Sequence, residues 1–280
     1  MVIFNFLIRQ TKQFYEKFIL ILIGKNPKNL EKLQKLISRQ LGKGYFTSIA
    51  VEVEYLCKLI DMFKPSEISV FFDIGAHVGE YTNELQKLKP QFHVYLFEPT
   101  PQSLKILRKK FLSHSFARII PLALSNKKGS ALLSQFPNLN QLNSILKQNY
   151  SHHNKYASSK ISVKTITLDN FVSKFQVQPD VIKIDCEGSD WAVLNGGLRT
   201  IRKTKIVQFE FGESVMPARR YFRDFFNFFK GLNFDIYRIT PLGLIPIREY
   251  SIDLESFYPT NYLCVNIALL INSEREKKAY

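Results

Sequence analysis

Cysteine is scarce in this 280-residue chain: Cys57, Cys186 and Cys264 are the only three, far apart and odd in number. They suggest neither a disulfide framework nor a C-x-x-C zinc site, and a reducing, cytoplasmic compartment fits best. Long apolar runs are missing too. The N-terminal stretch "MVIFNFLIRQTKQFYEKFILILIGKNPKN" is oily, but Arg9, Lys12, Glu16 and Lys17 interrupt it. Its late run, Phe18 to Ile23, is far below the roughly 18 to 20 residues that a membrane-spanning helix requires. No small-residue cleavage site follows that run, so it does not read as a secretory signal. What remains is an amphipathic helical extension over residues 1–43, which either packs on the protein or lies on a membrane or partner surface through residues 1–24. The chain is thus expected to be cytoplasmic, or peripheral at a membrane.

Acid is also in short supply. Against 39 Lys and Arg stand 24 Asp and Glu, a formal net charge of +15. Such a surface attracts anions: phosphorylated glycans, nucleotide-linked substrates, acidic lipid headgroups or nucleic acid. The basic residues are scattered, however, as "RKK" (108–110), "RKTK" (202–205) and "ARR" (218–220), each of which reads equally well as a solvated face. There is no N/D-P-P-Y/F motif for amino methylation and no basic strip interleaved with aromatics, so nucleic acid is not expected as a partner.

With 45% hydrophobic residues, the length suits one globular α/β domain, residues 44–280, behind the extension. "FTSIAVEVEYLCKLIDMF" reads as a helix with Ile49, Val53, Leu56 and Ile60 on one face. Strand-like runs follow at 69–73, 93–98, 118–124, 181–185 and 205–211. Helical patterns separate the first ones: Tyr81, Leu85 and Leu88 at helical spacing before Pro90, then Thr100 as N-cap, Pro101 at the first position and Leu104, Leu107 and Phe111 inward. This alternation predicts right-handed βαβ units and a mainly parallel sheet. The runs 234–240, 244–250 and 261–271 lack intervening helices and predict an antiparallel edge. From 130 to 169 the pattern weakens, and the polar segment 147–160 reads as a lid or a plain surface loop.

Ligands of open α/β sheets sit beyond the carboxyl ends of the strands. The first strand ends in "DIGAHVG" (73–79). Aligning G-x-G-x-x-G on Gly79 requires glycines where Ile74 and Ala76 stand, and aligning it on Gly75 requires them at His77 and Glu80. No Lys-Ser or Lys-Thr follows to make a phosphate-binding P-loop. The junction instead suits a ligand without phosphate that carries an amino-acid tail: glycines for close approach, helix N-terminal amides for a carboxylate, and Asp73 near an ammonium. S-adenosylmethionine is such a ligand. Glu98, at the second strand end, is placed to accept its ribose hydroxyls.

The blocks "FFDIGAHVGEYT", "VYLFEPTPQSLKILRKKF", "PLALSNKKGS", "VKTITLDNF" and "DVIKIDCEGSDWAVLNGG", followed by "IVQFEF", resemble the FkbM family of S-adenosylmethionine-dependent methyltransferases over roughly Phe71 to Glu213. The resemblance implies a class I methyltransferase, Rossmann-like seven-stranded sheet. It implies cofactor contacts from Asp73, Gly75 and Gly79 at the methionine end, Glu98 at the ribose, and Leu124 and Ser125 at the adenine, unless Ser125 is only a turn residue. His77 departs from the asparagine common at that place, and either touches a ligand or caps the loop. Asp185 is the leading candidate to position or deprotonate an acceptor hydroxyl, helped by Glu187 or Glu210; the alternative is a Mg or Mn ion held by Asp185 and Glu210. Glu187 and Asp169 also fit helix N-termini. The expected activity is O-methylation of a hydroxyl on a glycan, a sugar or a related anionic metabolite. The competing reading is a non-catalytic, cofactor-binding partner in a glycan-assembly or membrane-associated complex.

Overall fold

The computed structural model describes residues 26–44, 47–63, 69–135 and 159–278, together with Lys17. The proposed membrane-facing stretch 1–24, apart from Lys17, and all but the end of the polar segment 147–160 lie outside the described residues. No helix among the described residues is long and apolar enough to cross a membrane.

Among the described residues, the helices Pro27–Gln40 and Ile49–Ile60 lie ahead of the sheet. Helix α1 (Pro27–Gln40) starts at Asn26, whose side chain accepts from the Lys28 amide at 3.0 Å, with Pro27 in the first turn where a missing N–H costs nothing. None of its residues is buried. Helix α2 (Ile49–Ile60) buries Val53, Leu56, Cys57, Leu59 and Ile60 and, among them, the carboxylate of Glu52.

The main sheet has the strand order β10-β9-β11-β8-β7-β1-β2-β3. Its members are β1 (Val70–Ile74), β2 (His93–Phe97), β3 (Ala117–Ile120), β7 (Val181–Ile184), β8 (Ile206–Phe211), β9 (Phe234–Thr240), β10 (Gly243–Ile247) and β11 (Thr260–Asn266). The pairs from β3 to β8 are parallel, and β11 is antiparallel to both β8 and β9. Helices α3 (Glu80–Leu88) and α4 (Pro101–Lys110) make the crossovers after β1 and β2. The sheet has eight strands rather than the expected seven, because β10 folds back on β9 as a terminal hairpin; Pro246, which lacks an N–H, is tolerated there on the edge.

Three further differences have local causes. The run 118–124 is not one strand: it breaks at Pro121, and β4 (Ala123–Leu124) leaves the main sheet to pair with β6 (Ser159–Ile166). The weakly patterned region contributes β5 (Gly129–Gln135), antiparallel to β6 from Gly129↔Thr165 to Gln135↔Ser159. This small sheet buries Ala123, Leu133 and Val163 in a cluster of their own, with Leu124 in the main core and Thr165 buried beside them, so few positions had to be apolar. At the carboxyl end, the run 261–271 stops being a strand at Asn266, whose side chain accepts from the Leu269 amide at 3.3 Å and opens α9 (Ile267–Lys278).

The two faces of the sheet differ. One presents Phe72, Ile74, Ile182, Ile184, Val207, Phe209 and Phe211 to α5 (Leu168–Phe175), α6 (Asp190–Asn195) and α8 (Phe222–Gly231). In α8, Phe222, Phe225, Phe226 and Phe229 recur at helical spacing, and Phe209 stacks between Phe225 and Tyr262 at 5.1 and 5.3 Å between ring centroids. The other face, under α2, α3 and α4, is apolar at Phe71, Val181, Ile206 and Leu263 and then abruptly polar nearer the site.

Phe225→Ala removes a fully buried ring from this aromatic stack, and the expected loss is about 3–5 kcal/mol in guanidinium unfolding. A loss below about 1 kcal/mol contradicts the stack as a packed unit.

Candidate active site

The register lines up one row of residues across the carboxyl ends of the strands. Ile74 pairs with Phe97 and Ile184, and Ile184 with Phe209. The residues one step further along are Glu98, Gly75, Asp185 and Glu210, and Glu210 pairs with Asn261. Strands lie about 4.8 Å apart, so this row spans about 14 Å from Glu98 to Glu210. A cavity of about 590 Å³ runs along it. Phe97, Leu122, Leu124 and Leu133 line one end beside Glu98, while Ala76, His77, Lys183, Asp185 and Cys186 line the middle. Thr47, Glu52, Glu210 and Asn261 line the other end.

Beneath that row, two residues back on the same face, lies a second one: Asp73, Lys183 and Gln208, paired in register and each almost fully buried. The Lys183 ammonium is 3.1 Å from Asp185 Oδ2 and 3.7 Å from Asp73 Oδ1, and lies 5.4 Å from the centre of the Tyr81 ring. Desolvation pulls its pKa down, but the Asp185 and Asp73 carboxylates outweigh that and hold it above the ordinary lysine value. Thr82 Oγ1 donates to Asp73 Oδ2 at 2.6 Å, and Tyr81 donates to Gln208 Oε1 at 2.5 Å. Gln208 Nε2 in turn donates to Glu52 Oε2 at 2.8 Å.

Asp73 is completely buried, with Oδ2 accepting from Thr82 and Oδ1 3.7 Å from the Lys183 ammonium, and lies outside the cavity wall. Gly75 has φ +80, and a Cβ there would lie 1.9 Å from the carbonyl oxygen of Asp185; the close approach that requires glycine is to the neighbouring strand end. Gly79, also outside the wall, is the left-handed N-cap of α3 and faces Phe111 and Leu107. Ser125 lies outside it too, its amide donating to the Ile166 carbonyl, whereas Leu124 is in it.

Glu98 accepts from the Thr100 amide and hydroxyl on Oε1, at 2.7 and 2.6 Å, and from the His77 amide on Oε2 at 3.0 Å. Thr100 thus spends its hydroxyl on Glu98 rather than on its own helix. One lone pair of Oε2 is left over. His77 takes a left-handed φ of +48 and turns its ring into the cavity wall, where Nε2 is buried without a partner; burial keeps the imidazole below its ordinary pKa and so neutral. Ser189 Oγ, also in the wall, is buried and unpartnered. An apolar end, a carboxylate with a spare lone pair and two unsatisfied polar atoms fit S-adenosylmethionine.

Glu187 stands before α6, not in its first turn. The acid in that turn is Asp190, whose carboxylate accepts from the Cys186 and Gly188 amides at 3.2 and 3.0 Å and so fixes the left-handed Glu187 (φ +49). Burial, then Asp185, pushes Asp190 up to about 6. Asp169 accepts from Thr200 and Arg199 at the start of α7 (Leu198–Ile201). Desolvation pushes its pKa up, but those hydrogen bonds outweigh it and hold the carboxyl below its ordinary value. Burial and then Asp185 push the Glu210 pKa well above its ordinary value. Among the described residues no group of three or more His, Cys, Asp or Glu is placed to hold a metal ion.

Lys183→Met leaves Asp73 buried without a countercharge and is expected to cost about 3–5 kcal/mol in urea unfolding, whereas adding Asp73→Asn to it recovers part of the loss. Equal stability of Lys183→Met and the unaltered protein contradicts this charge balance.

The sequence pattern of the Methyltransferase FkbM domain matches residues 73–236. The chain is 25% identical over 159 residues to the 2-O-methyltransferase NoeI of Sinorhizobium fredii, an alignment covering 52% of this chain and 65% of that protein. It is also 25% identical over 152 residues to the hexuronic acid methyltransferase AglP of Haloferax volcanii, covering 54% and 59%. The chain thus spans less than two thirds of the length of these curated relatives. Among solved structures it is similar to precorrin-6y C5,15-methyltransferase of Geobacter metallireducens, with 11% identity, a TM-score of 0.40 and coverage of 76% and 87%, a likeness too slight to bear on function. The domain match takes in more than half of the 280 residues and contains the strand-end row from Asp73 to Glu210, and by it the chain belongs to the FkbM methyltransferase family.

Proposed function

We propose that the protein is an S-adenosylmethionine-dependent O-methyltransferase acting on a hydroxyl of a sugar or glycan. The observation that carries this reading is the single cavity joining Glu98, the Gly75–His77 loop, Asp185 and Glu210. The printed activities of the two relatives, a 2-O-methyltransferase and a hexuronic acid methyltransferase, point to the same acceptor class. Belonging to a methyltransferase family, with the strand-end carboxylates present, disfavours the non-catalytic alternative.

When bound, S-adenosylmethionine supplies an electrophilic methyl group on a sulfonium. The protein's part is to hold and orient. Glu98 offers its spare lone pair to a ribose hydroxyl, Leu124 and Phe97 offer an apolar wall to the adenine, and the Gly75–His77 loop backs the methionine end. Asp185, paired with Lys183, orients the acceptor hydroxyl by accepting from it or from its neighbour on the ring. Glu210 faces an acceptor oxygen, and Glu187 closes the same side. An anionic acceptor is drawn in by the net positive charge.

Methyl-labelled cofactor incubated with methyl glycosides of a hexose and of a hexuronic acid is expected to place label in an alkali-stable ether. Label in an alkali-labile ester, or none on either sugar, contradicts the assigned acceptor group. Glu98→Ala is expected to weaken S-adenosylmethionine binding by about five- to 150-fold in calorimetry, the equivalent of about 1–3 kcal/mol for unsatisfied hydroxyl partners. A chelator is expected to leave the transfer unchanged.

A further inference from the structure

Methyl transfer to a hydroxyl releases a proton, and the strand-end carboxylates are poorly suited to take it. Asp185 is already paired with the Lys183 ammonium 3.1 Å away. Burial and Asp185 push the Glu210 pKa well above its ordinary value. A further acid reaches the same cavity from outside the matched domain. Glu52, on α2, lines the end of the cavity shared with Glu210 and Asn261.

Its carboxylate is held from three directions. Thr47 Oγ1 and Asn261 Nδ2 donate to Oε1 at 3.0 and 2.9 Å, and Gln208 Nε2 donates to Oε2 at 2.8 Å. The Tyr81 hydroxyl donates to Gln208 Oε1, so the glutamine must turn its amide nitrogen toward Glu52. Three donors fix the carboxylate and leave a lone pair on Oε2.

We propose that Glu52 is the general base of this site, taking the proton of the acceptor hydroxyl as the methyl group is transferred. This rests on the methyltransferase reading above. The acceptor oxygen forms its bond to the methyl carbon while the carbon–sulfur bond breaks and leaves its electron pair on sulfur; the hydroxyl proton passes to Glu52 Oε2 and later to water. The groups facing Glu52 are Lys183 and Asp185 on β7, Glu210 on β8 and Tyr81 on α3. Burial pushes Glu52 up to about 7, against the pull of Thr47, Lys183 and Gln208, close to the working pH that favours a general base. The sign follows: the base works when ionised, so transfer falls about tenfold per pH unit below that value.

The test is carboxyl-carbon magnetic resonance of protein labelled in glutamate, with the Glu52 signal assigned by its loss in Glu52→Gln, or by its displacement in Glu52→Asp if the amide does not fold. With S-adenosylhomocysteine bound, Glu52 is expected to titrate near pH 7; with S-adenosylmethionine bound, the sulfonium is expected to lower its proton affinity by about tenfold or more. Glu52→Gln, or Glu52→Asp in its place, is expected to bind S-adenosylhomocysteine within about twofold of the unaltered protein, and the neutral amide to bind S-adenosylmethionine about five- to tenfold more weakly, the reciprocal of that shift. In the amide, transfer drops by about 100-fold or more and the acid limb disappears. An identical Glu52 titration with both ligands, or an acid limb retained in Glu52→Gln, overturns the proposal. If neither ligand binds the unaltered protein, it is the reading of the cavity that fails, and the proposal falls with it.

Discussion

Lys183 carries a full positive charge into the centre of the sheet, in a strand whose other residues are fully buried and apolar. A solitary ammonium there would be prohibitively desolvated, and the surroundings are arranged around that constraint. Asp73 on the neighbouring strand and Asp185 on the same strand share the charge. Thr82 satisfies the far oxygen of Asp73, and Tyr81 turns its ring toward the ammonium while its hydroxyl orders Gln208. The pair Lys183–Asp185 thus connects the buried polar row to the cavity wall.

The strand order turns this local balance into a layout. Because β2, β1, β7 and β8 stand side by side, their carboxyl ends present in sequence Glu98, the Gly75 loop, Asp185 and Glu210, and the amino end of antiparallel β11 adds Asn261. A long ligand lying across the strands meets these groups one after another, at steps of about 4.8 Å. The glycine loop can run this close only because Gly75 has no side chain to strike Asp185. Helix α2 closes the far end with Glu52, so residues before the matched domain help to shape the acceptor side.

Much of this was legible from the chain alone, for reasons that particular residues make plain. Alternating apolar runs and helical spacings gave the parallel core, and acids or glycines at strand ends marked Gly75, Glu98, Asp185 and Glu210. The β5–β6 arm was hard to read because so little of it is buried, whereas the edge strand β10 was legible within the run 244–250 despite its proline. Lys183 did have a signal, a lysine inside the apolar run "VIKID", and so did Glu52, an acid between Ile49, Val53 and Leu56 on a helix's buried side. Neither can be interpreted without knowing which strands are neighbours, since Asp73 is distant in sequence from Lys183, and Gln208 and Asn261 from Glu52. The same holds for Asp73, whose strand-end position resembles that of a ligand contact until Thr82 and Lys183 are seen to occupy it.

The central claim, that the strand-end row is the binding track for the methyl donor, is tested most directly by a crystal structure of the protein with S-adenosylhomocysteine. The account predicts the ribose hydroxyls on Glu98, the adenine against Leu124 and Phe97, and the sulfur above the Gly75–Asp185 junction facing Glu52. A ligand bound elsewhere, or one in this cavity with Glu98 untouched and the sulfur directed away from Asp185, contradicts it.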